Sequence, residues 1–258
     1  MTRFWRIAAG VGLLLAVVIQ LLPFYIALTT SLKPRTDLSS QWVFPTSGIY
    51  GENFRVAIED GNILRAIASS ALITVCSTLL ICLLGALAAY PLARRDTLGN
   101  KVVFAGIIGL IMIPPLSILV PVYTLLVQLG GINTYWGAIA LMVATQLPLS
   151  VFLYASFMRG LPLSIEEAAV VDGAGLLTTL FRVVFPMLKP VTATVIILTS
   201  VSVWNEYALS VFLLRRPDVR TTAPTIATFF ASQGSNLGAA AAAALISVVP
   251  VLLAYLLL

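Results

Sequence analysis

The sequence predicts an all-α integral membrane protein, and three observations carry that expectation. Of its 258 residues, 60% are hydrophobic and 10% charged, where soluble domains carry about 25% charged residues. Mean hydropathy is +1.03, more apolar surface than a water-soluble core of this length can hide. The apolar residues gather into six long runs, and the charged residues stand almost wholly between them.

Composition also excludes. The chain has no histidine, which removes histidine acid–base chemistry, Ser-His triads and histidine metal sites. The net charge of +5 suits flanks beside anionic lipid. The basic residues stand singly between apolar runs and form no stripe, so nucleic acid is not a partner. Cys76 and Cys82 lie six residues apart in one run; on a helix they point to different sides and read as two small buried apolar residues.

The first span is expected over 7–31, after a short basic start with Arg3 and Arg6. The run is longer than the roughly 7–15 apolar residues of a cleaved signal peptide, so it is retained. Residues 33–65 are the longest polar region and read as an extramembrane loop with interfacial aromatics, not a domain. The second span is expected over 66–92. Arg94, Arg95 and Lys101 crowd the connection that follows, a cytoplasmic signal under the positive-inside rule. The third span covers 102–127, kinked by Pro114-Pro115 and Pro121. The fourth covers 136–158, the fifth 191–214 and the sixth 237–258, so 1–258 is one transmembrane domain. Ala239 to Ala244 form a small-residue face for close helix packing. Six spans put both ends on one side, the cytoplasmic one. Lys plus Arg then divides eight inside to seven outside, and the short loops, which count most, set the orientation.

The connection 159–190 is the chain's charged island. Ser164 can cap a helix whose first turn holds Glu166 and Glu167. Ala168, Ala169 and Val170 continue it. Gly173 and Gly175 stop it and allow a turn with positive φ. A second helical stretch follows over 176–185, closed by Pro186. Small residues at Ala168, Ala169, Gly173 and Ala174 let another surface approach the backbone. Residue physics leaves two readings open: a docking site for a partner, or a connector that packs only on its own chain.

Gln146, Tyr123 and Trp204 qualify by type for a polar path through the spans, since a polar solute must exchange water for hydrogen-bond groups and aromatic faces, although each alone is more often a packing residue; Asn205 stands with them next to Glu206. Glu206 joins them, read as about 15 residues into the fifth span, roughly 24 Å along the helix. A carboxylate there faces protein or water, as a pathway residue or as a structural partner near Arg215 or Arg216.

Glu167-Ala168-Ala169, three residues, Gly173, nine residues, then Val183-x-Phe185-Pro186 resembles the EAA motif of ABC-importer permeases, which usually ends Ile-x-Leu-Pro. Leu22-Pro23-Phe24, Ser31-Leu32-Lys33-Pro34, the stretch from Ala88 to Arg94, Ile113-Pro114, the stretch from Leu129 to Tyr135 and Trp204-Asn205-Glu206-Tyr207 are similar to the carbohydrate branch, the maltose-permease type. Members of that branch continue past the sixth span into a basic tail, which does not follow Leu258 here.

The resemblance implies the type I ABC importer permease fold, with six transmembrane helices and a cytoplasmic coupling helix in 159–190. It implies a bacterial inner or plasma membrane location and a disaccharide such as trehalose or maltose as cargo. It implies four partners besides lipid: a second permease subunit forming a heterodimer, two ATPase subunits, and an extracytoplasmic sugar-binding protein. Glu166, Glu167, Ala168, Ala169, Asp172, Gly173, Ala174 and Pro186 would then serve ATPase coupling. The loop over 228–236 would reach the binding protein through Gln233, Ser235 and Asn236. The sequence has no Gly-Lys-Ser/Thr phosphate loop, so ATP is handled by another chain. This chain binds no cofactor, and ATP with magnesium sits on the ATPase subunits. An ion-gradient-driven carrier would call for an inverted repeat, which the sequence does not display. A membrane enzyme would call for a nucleophile–base pair or metal cluster.

Overall fold

The computed structural model describes residues 3–37, 39–45, 48–231 and 236–257. In chain order the helices are α1 (Arg3–Ser31), α2 (Glu52–Ile58), α3 (Ile63–Arg94), α4 (Leu98–Ile111), a 3-10 turn (Pro115–Ile118), α5 (Leu119–Gln128), α6 (Tyr135–Arg159) and α7 (Ser164–Val171). Then come α8 (Leu176–Thr178), a π-helical segment (Thr179–Val184), α9 (Phe185–Met187), α10 (Lys189–Trp204), α11 (Ser210–Leu213), α12 (Thr222–Ala231) and α13 (Leu237–Leu257).

Four stretches are long and apolar enough to cross a membrane: Ala9–Ser31, Ile63–Arg94, Tyr135–Arg159 and Leu237–Ala254. Two bent pairs, Leu98–Ile111 with Pro115–Gln128 and Leu176–Met187 with Lys189–Trp204, raise the count to six if each is one crossing. The all-helical expectation holds, with two differences in shape. The kink expected in the third span is a 99° break. Pro114 is extended at φ −63°, ψ 131°, because a residue ahead of proline is driven out of the helical region. The fifth helix ends at Trp204, not at residue 214. There the Asn205 Nδ2 donates back to the Val201 carbonyl at 2.9 Å, a local side-chain bond that competes with the helical ladder.

The chain divides into two compact units. In the first (1–67 and 222–258) α13 lies on α1, α2 and α12. Ala239, Ala240, Ala242 and Ala243 are buried with Ala57, Ile63, Ala66 and Phe229, so the alanine run is the close-packing face its composition predicts. The polar region expected as a loop over 33–65 contains helix α2 (Glu52–Ile58). Buried Asn53 on α2 donates at 2.9 Å to the Ser31 carbonyl, which the end of α1 leaves unpaired, and at 2.8 Å to the Lys33 carbonyl beyond it. Buried Lys33 donates to Ser39 Oγ and the Ser40 carbonyl.

In the second unit (68–221), α3, α6, α10 and the π segment share one apolar core. Ile81, Ala86, Ala89, Tyr154, Met158, Val184, Leu188 and Val195 are essentially inaccessible. Gly85 permits the α3–α6 approach, since a Cβ there would overlap Ser150 Oγ, which donates to the Ile81 carbonyl across the contact. A second cluster joins Ile73, Leu126, Leu141, Met142, Val203, Leu209 and Leu213.

Candidate functional site

Helix α3 has 32 residues, about 48 Å of helix against a hydrocarbon core about 30 Å thick. It is longer than one crossing needs, and its last two turns carry Tyr90 and Arg94, four residues apart and on one face. Both reach Glu166 in the first turn of α7. Tyr90 Oη donates to Glu166 Oε2 at 2.8 Å. Arg94 Nε donates to Glu166 Oε1 at 2.7 Å, and its Nη1 donates to the Leu161 carbonyl at 3.4 Å. Both side chains are nearly enclosed, with 12% and 9% of their surfaces exposed. A buried, hydrogen-bonded ion pair fixes α7 to the end of α3 across 72 residues of sequence.

Glu166 was expected at a partner surface. It turns inward instead, and Glu167, one residue on and about 100° round the helix, is the exposed glutamate. Ser164 is the first helical residue and makes no cap; Leu163 holds the cap position without a side-chain bond. The helix end does follow the glycine expectation at Gly173, whose φ is +83°. Ala174 N–H donates to the Ala169 carbonyl at 2.9 Å and Gly173 N–H to Val170 at 3.0 Å, the paired bonds of a Schellman cap. Gly175 is extended at φ −74° and needs no glycine-only conformation. Asp172 is exposed at the cap, Ala168 is exposed, and Ala169 and Ala174 are half-buried.

The second arm differs from expectation at Pro186. The chain stays helical through Met187 and bends by 75° only where α10 begins. The widened π segment ahead of it relieves the ring clash that would stop an α-helix at proline. That segment buries Thr179, Leu180 and Val184 against the α3–α6 core. On α7 and α8 the aliphatic side chains of Val170, Val171, Leu176 and Leu177 are between 61% and 86% exposed. These four were not singled out by sequence, although the apolar letters flanking Asp172-Gly173 in a charged connection are a readable signal.

The polar side chains expected along the spans are mostly engaged within the protein. Gln146 Nε2 on α6 donates to Ser202 Oγ on α10 at 2.6 Å. Tyr123 lies beneath Arg215, whose guanidinium carbon is 5.7 Å from the ring centre. Trp204 is half-buried in the last turn of α10, and Asn205 is exposed. Glu206 lies beyond α10, not within it. Its Oε1 accepts from Leu209 N–H at 2.7 Å, and its Oε2 accepts from Ser210 N–H at 2.8 Å and Ser210 Oγ at 2.6 Å. It caps the turn into α11 and takes its bonds there, not from Arg215 or Arg216. Asn133, at φ +57°, pins the next stretch: its Oδ1 accepts from the backbone of Arg215 and Arg216 at 2.7 and 3.0 Å. On α3, the buried hydroxyls of Thr74, Ser77 and Thr78 have no partner among the described residues, and in sequence they are small polar letters inside an apolar run.

Of the residues expected to meet a binding protein, Gln233 and Ser235 lie outside the described residues. Asn236 is buried. Its N–H donates to the Phe229 carbonyl at 2.9 Å, and its Oδ1 accepts from Ala239 N–H at 3.1 Å, capping α13. Residues 228–231, expected as loop, are the last turn of α12.

Residues 81–258 match the family model described as binding-protein-dependent transport system inner membrane component. The melibiose/raffinose/stachyose import permease protein MelC of Bacillus subtilis is 44% identical over 91% of this chain and 85% of its own length. The diacetylchitobiose uptake system permease protein NgcG of Streptomyces coelicolor is 35% identical over 98% of this chain and 84% of its own. The trehalose transport system permease protein SugB of Mycobacterium tuberculosis is 27% identical over 90% and 85%. Among solved structures, a bacterial ABC transporter involved in the import of alginate covers 100% of this chain and 97% of its own, with a TM-score of 0.81 at 21% identity, a likeness of fold.

Proposed function

The chain belongs to the family of binding-protein-dependent transport system inner membrane components, as a permease of a sugar ABC importer, and from that premise we propose that α7 is the lever by which a partner ATPase moves its spans. Such a permease is a transport subunit, not an enzyme, and works with ATPase and substrate-binding-protein partners.

The observation that carries the proposal is the pairing of an uncovered apolar face with a buried bolt. Val170, Val171, Leu176 and Leu177 are exposed on a connection otherwise rich in charge, and a contiguous apolar patch of that kind marks a protein contact. Glu167 and Ala168 flank it. Behind the patch, Glu166 is fixed to Tyr90 and Arg94, and the π segment is seated in the α3–α6–α10 core. Displacement of α7 by a closing ATPase therefore cannot be absorbed in a loose loop; it passes to α3 through the ion pair and to α6 and α10 through packing. The ATP and magnesium stay on the ATPase subunits.

The chain is proposed as one of two unlike permease subunits, with its N-terminus and the 159–190 connection cytoplasmic, in a bacterial plasma membrane. For cargo we propose the melibiose–raffinose–stachyose series, since the 44% identical relative is named for it; trehalose, expected from the sequence, is the named cargo of a relative at 27%.

The test uses the assembled importer in lipid vesicles. Val171→Asp is expected to lower sugar-stimulated ATP hydrolysis by about 30-fold or more, the loss of a central contact of about 2 kcal/mol, while the ion-paired frame still folds. Normal stimulated hydrolysis would refute the docking assignment. Uptake of labelled raffinose and trehalose by the same vesicles separates the cargo readings; trehalose preferred over raffinose would reverse the second proposal and leave the first standing.

A further inference from the structure

A cleft of about 530 Å³ opens beside the bolt, between the end of α3, the 95–101 turn, α4 and the end of α6. Its rim carries Arg94, Arg95, Lys101 and Arg159, with Asp96 the acid among them, and its floor includes Phe104 and Ile108. Glu166 offsets Arg94, and Asp96 pairs with Lys101 at 2.9 Å. Four cations against two acids leave an excess of two positive charges. Arg159 is held in place by stacking, its guanidinium carbon 4.2 Å from the centre of the Phe104 ring, and it donates to the Leu92 carbonyl at 3.3 Å. A guanidinium has five N–H donors, so most of its capacity remains for a ligand.

The cleft is rigid on its loop side. Asn100 Nδ2 donates to the carbonyls of Pro91 and Arg95 at 2.8 and 2.9 Å, and its N–H donates to Thr97 Oγ1 at 3.2 Å. Below the basic rim, α4 has no buried residue. On the α4 face that carries Lys101, Phe104, Ala105 and Ile108 line the cleft, with Ile108 39% exposed, an apolar wall continuous with the charged mouth. Cations above an unpartnered apolar helix match one amphiphile in shape and polarity: a phosphate head with hydrocarbon tails attached.

We propose that this cleft binds the headgroup of an anionic phospholipid, its phosphate between Arg95, Lys101 and Arg159 and its chains along α4. The site is independent of α7 docking. Bound there, the lipid would brace the end of α3 next to the Glu166 pair.

Native mass spectrometry of the assembled importer, released from nanodiscs of equal phosphatidylglycerol and phosphatidylcholine, tests this. The wild-type complex is expected to retain phosphatidylglycerol preferentially. Arg95→Gln with Lys101→Gln should reduce that preference by about 25-fold, near fivefold for each cation removed. Arg182→Gln with Lys189→Gln removes the same charge outside the cleft and should leave it unchanged. The proposal is overturned if the wild type shows no preference, or if both double variants reduce it alike, which would be a general surface effect. It is also overturned if inorganic phosphate displaces the lipid at matched concentration, or if the first double variant sheds an ATPase subunit while keeping its lipid preference.

Discussion

Glu166 and Glu206 stand in comparable places, each near a helix end beside apolar spans, and they use their oxygens in opposite ways. Glu166 bonds to Arg94 and Tyr90, 72 and 76 residues away. Glu206 bonds to Leu209 and Ser210, three and four residues away. The first is a tertiary fastener that makes a connection rigid with the spans it joins. The second is a cap that tells the chain locally where to turn. The difference teaches that a carboxylate near a membrane is not by itself a transport residue; the sequence distance of its partners says what it holds together.

The sharpest way to break the comparison is at the fastener. Glu166→Ala leaves the Arg94 guanidinium enclosed without a counter-charge, and breaking a buried pair from one side costs about 3–5 kcal/mol. Denaturant or thermal unfolding of the purified complex should register that loss. Arg94→Met combined with Glu166→Leu should recover most of it, because replacing both partners with apolar groups removes the stranded charge. A loss under about 1 kcal/mol for the single variant would put Glu166 in the same class as Glu206.

Gly173 sharpens the comparison within α7 itself, since it closes by local geometry the helix that Glu166 fastens at long range. A Cβ at Gly173 meets nothing within 4 Å, so substitution there carries no clash. Only the positive φ of +83° is penalised, about 1–2 kcal/mol for an alanine. Gly173→Ala should therefore destabilise by that amount, and Gly173→Asn by less, as asparagine tolerates the left-handed region. Equal losses for both would mean that space, not φ, sets the requirement. Amide exchange at Ala174, whose N–H closes the cap, reads the effect directly.

What could be read in advance follows the same division between local and distant causes. The expected spans 66–92 and 136–158 fall on Ile63–Arg94 and Tyr135–Arg159, because twenty apolar residues leave the backbone few alternatives to a helix. The turn at Gly173 was legible because it is settled by four neighbouring residues. Hydropathy records how apolar a run is and not which way it points, so the proline pair marked a kink in the third span but not its 99° angle, and the end of α10 at Trp204 was not legible. The Glu166–Arg94 pair was illegible for a different reason: in sequence Arg94 is one of several basic residues, and only the packing of α3 beside α7 selects it. The same holds for Asn53 and Asn236, polar letters in apparent loops that turn out to hold helix ends.

The smallest expected effect tests the other half of the comparison. Glu206→Gln keeps one carbonyl oxygen for Leu209 N–H or Ser210 N–H but sets an amide NH2 against the remaining donor. One hydrogen bond is lost and one N–H is left facing another, a destabilisation of about 1 kcal/mol. Restored by no distant partner, that loss should stay confined to the turn into α11. Uptake rate and the ratio of raffinose to trehalose transport should remain at wild-type values, because every oxygen contact of Glu206 is to its own turn. A changed sugar ratio with unchanged stability would show that the carboxylate meets cargo as well as backbone, and the local reading would fail at the residue where it is drawn most firmly.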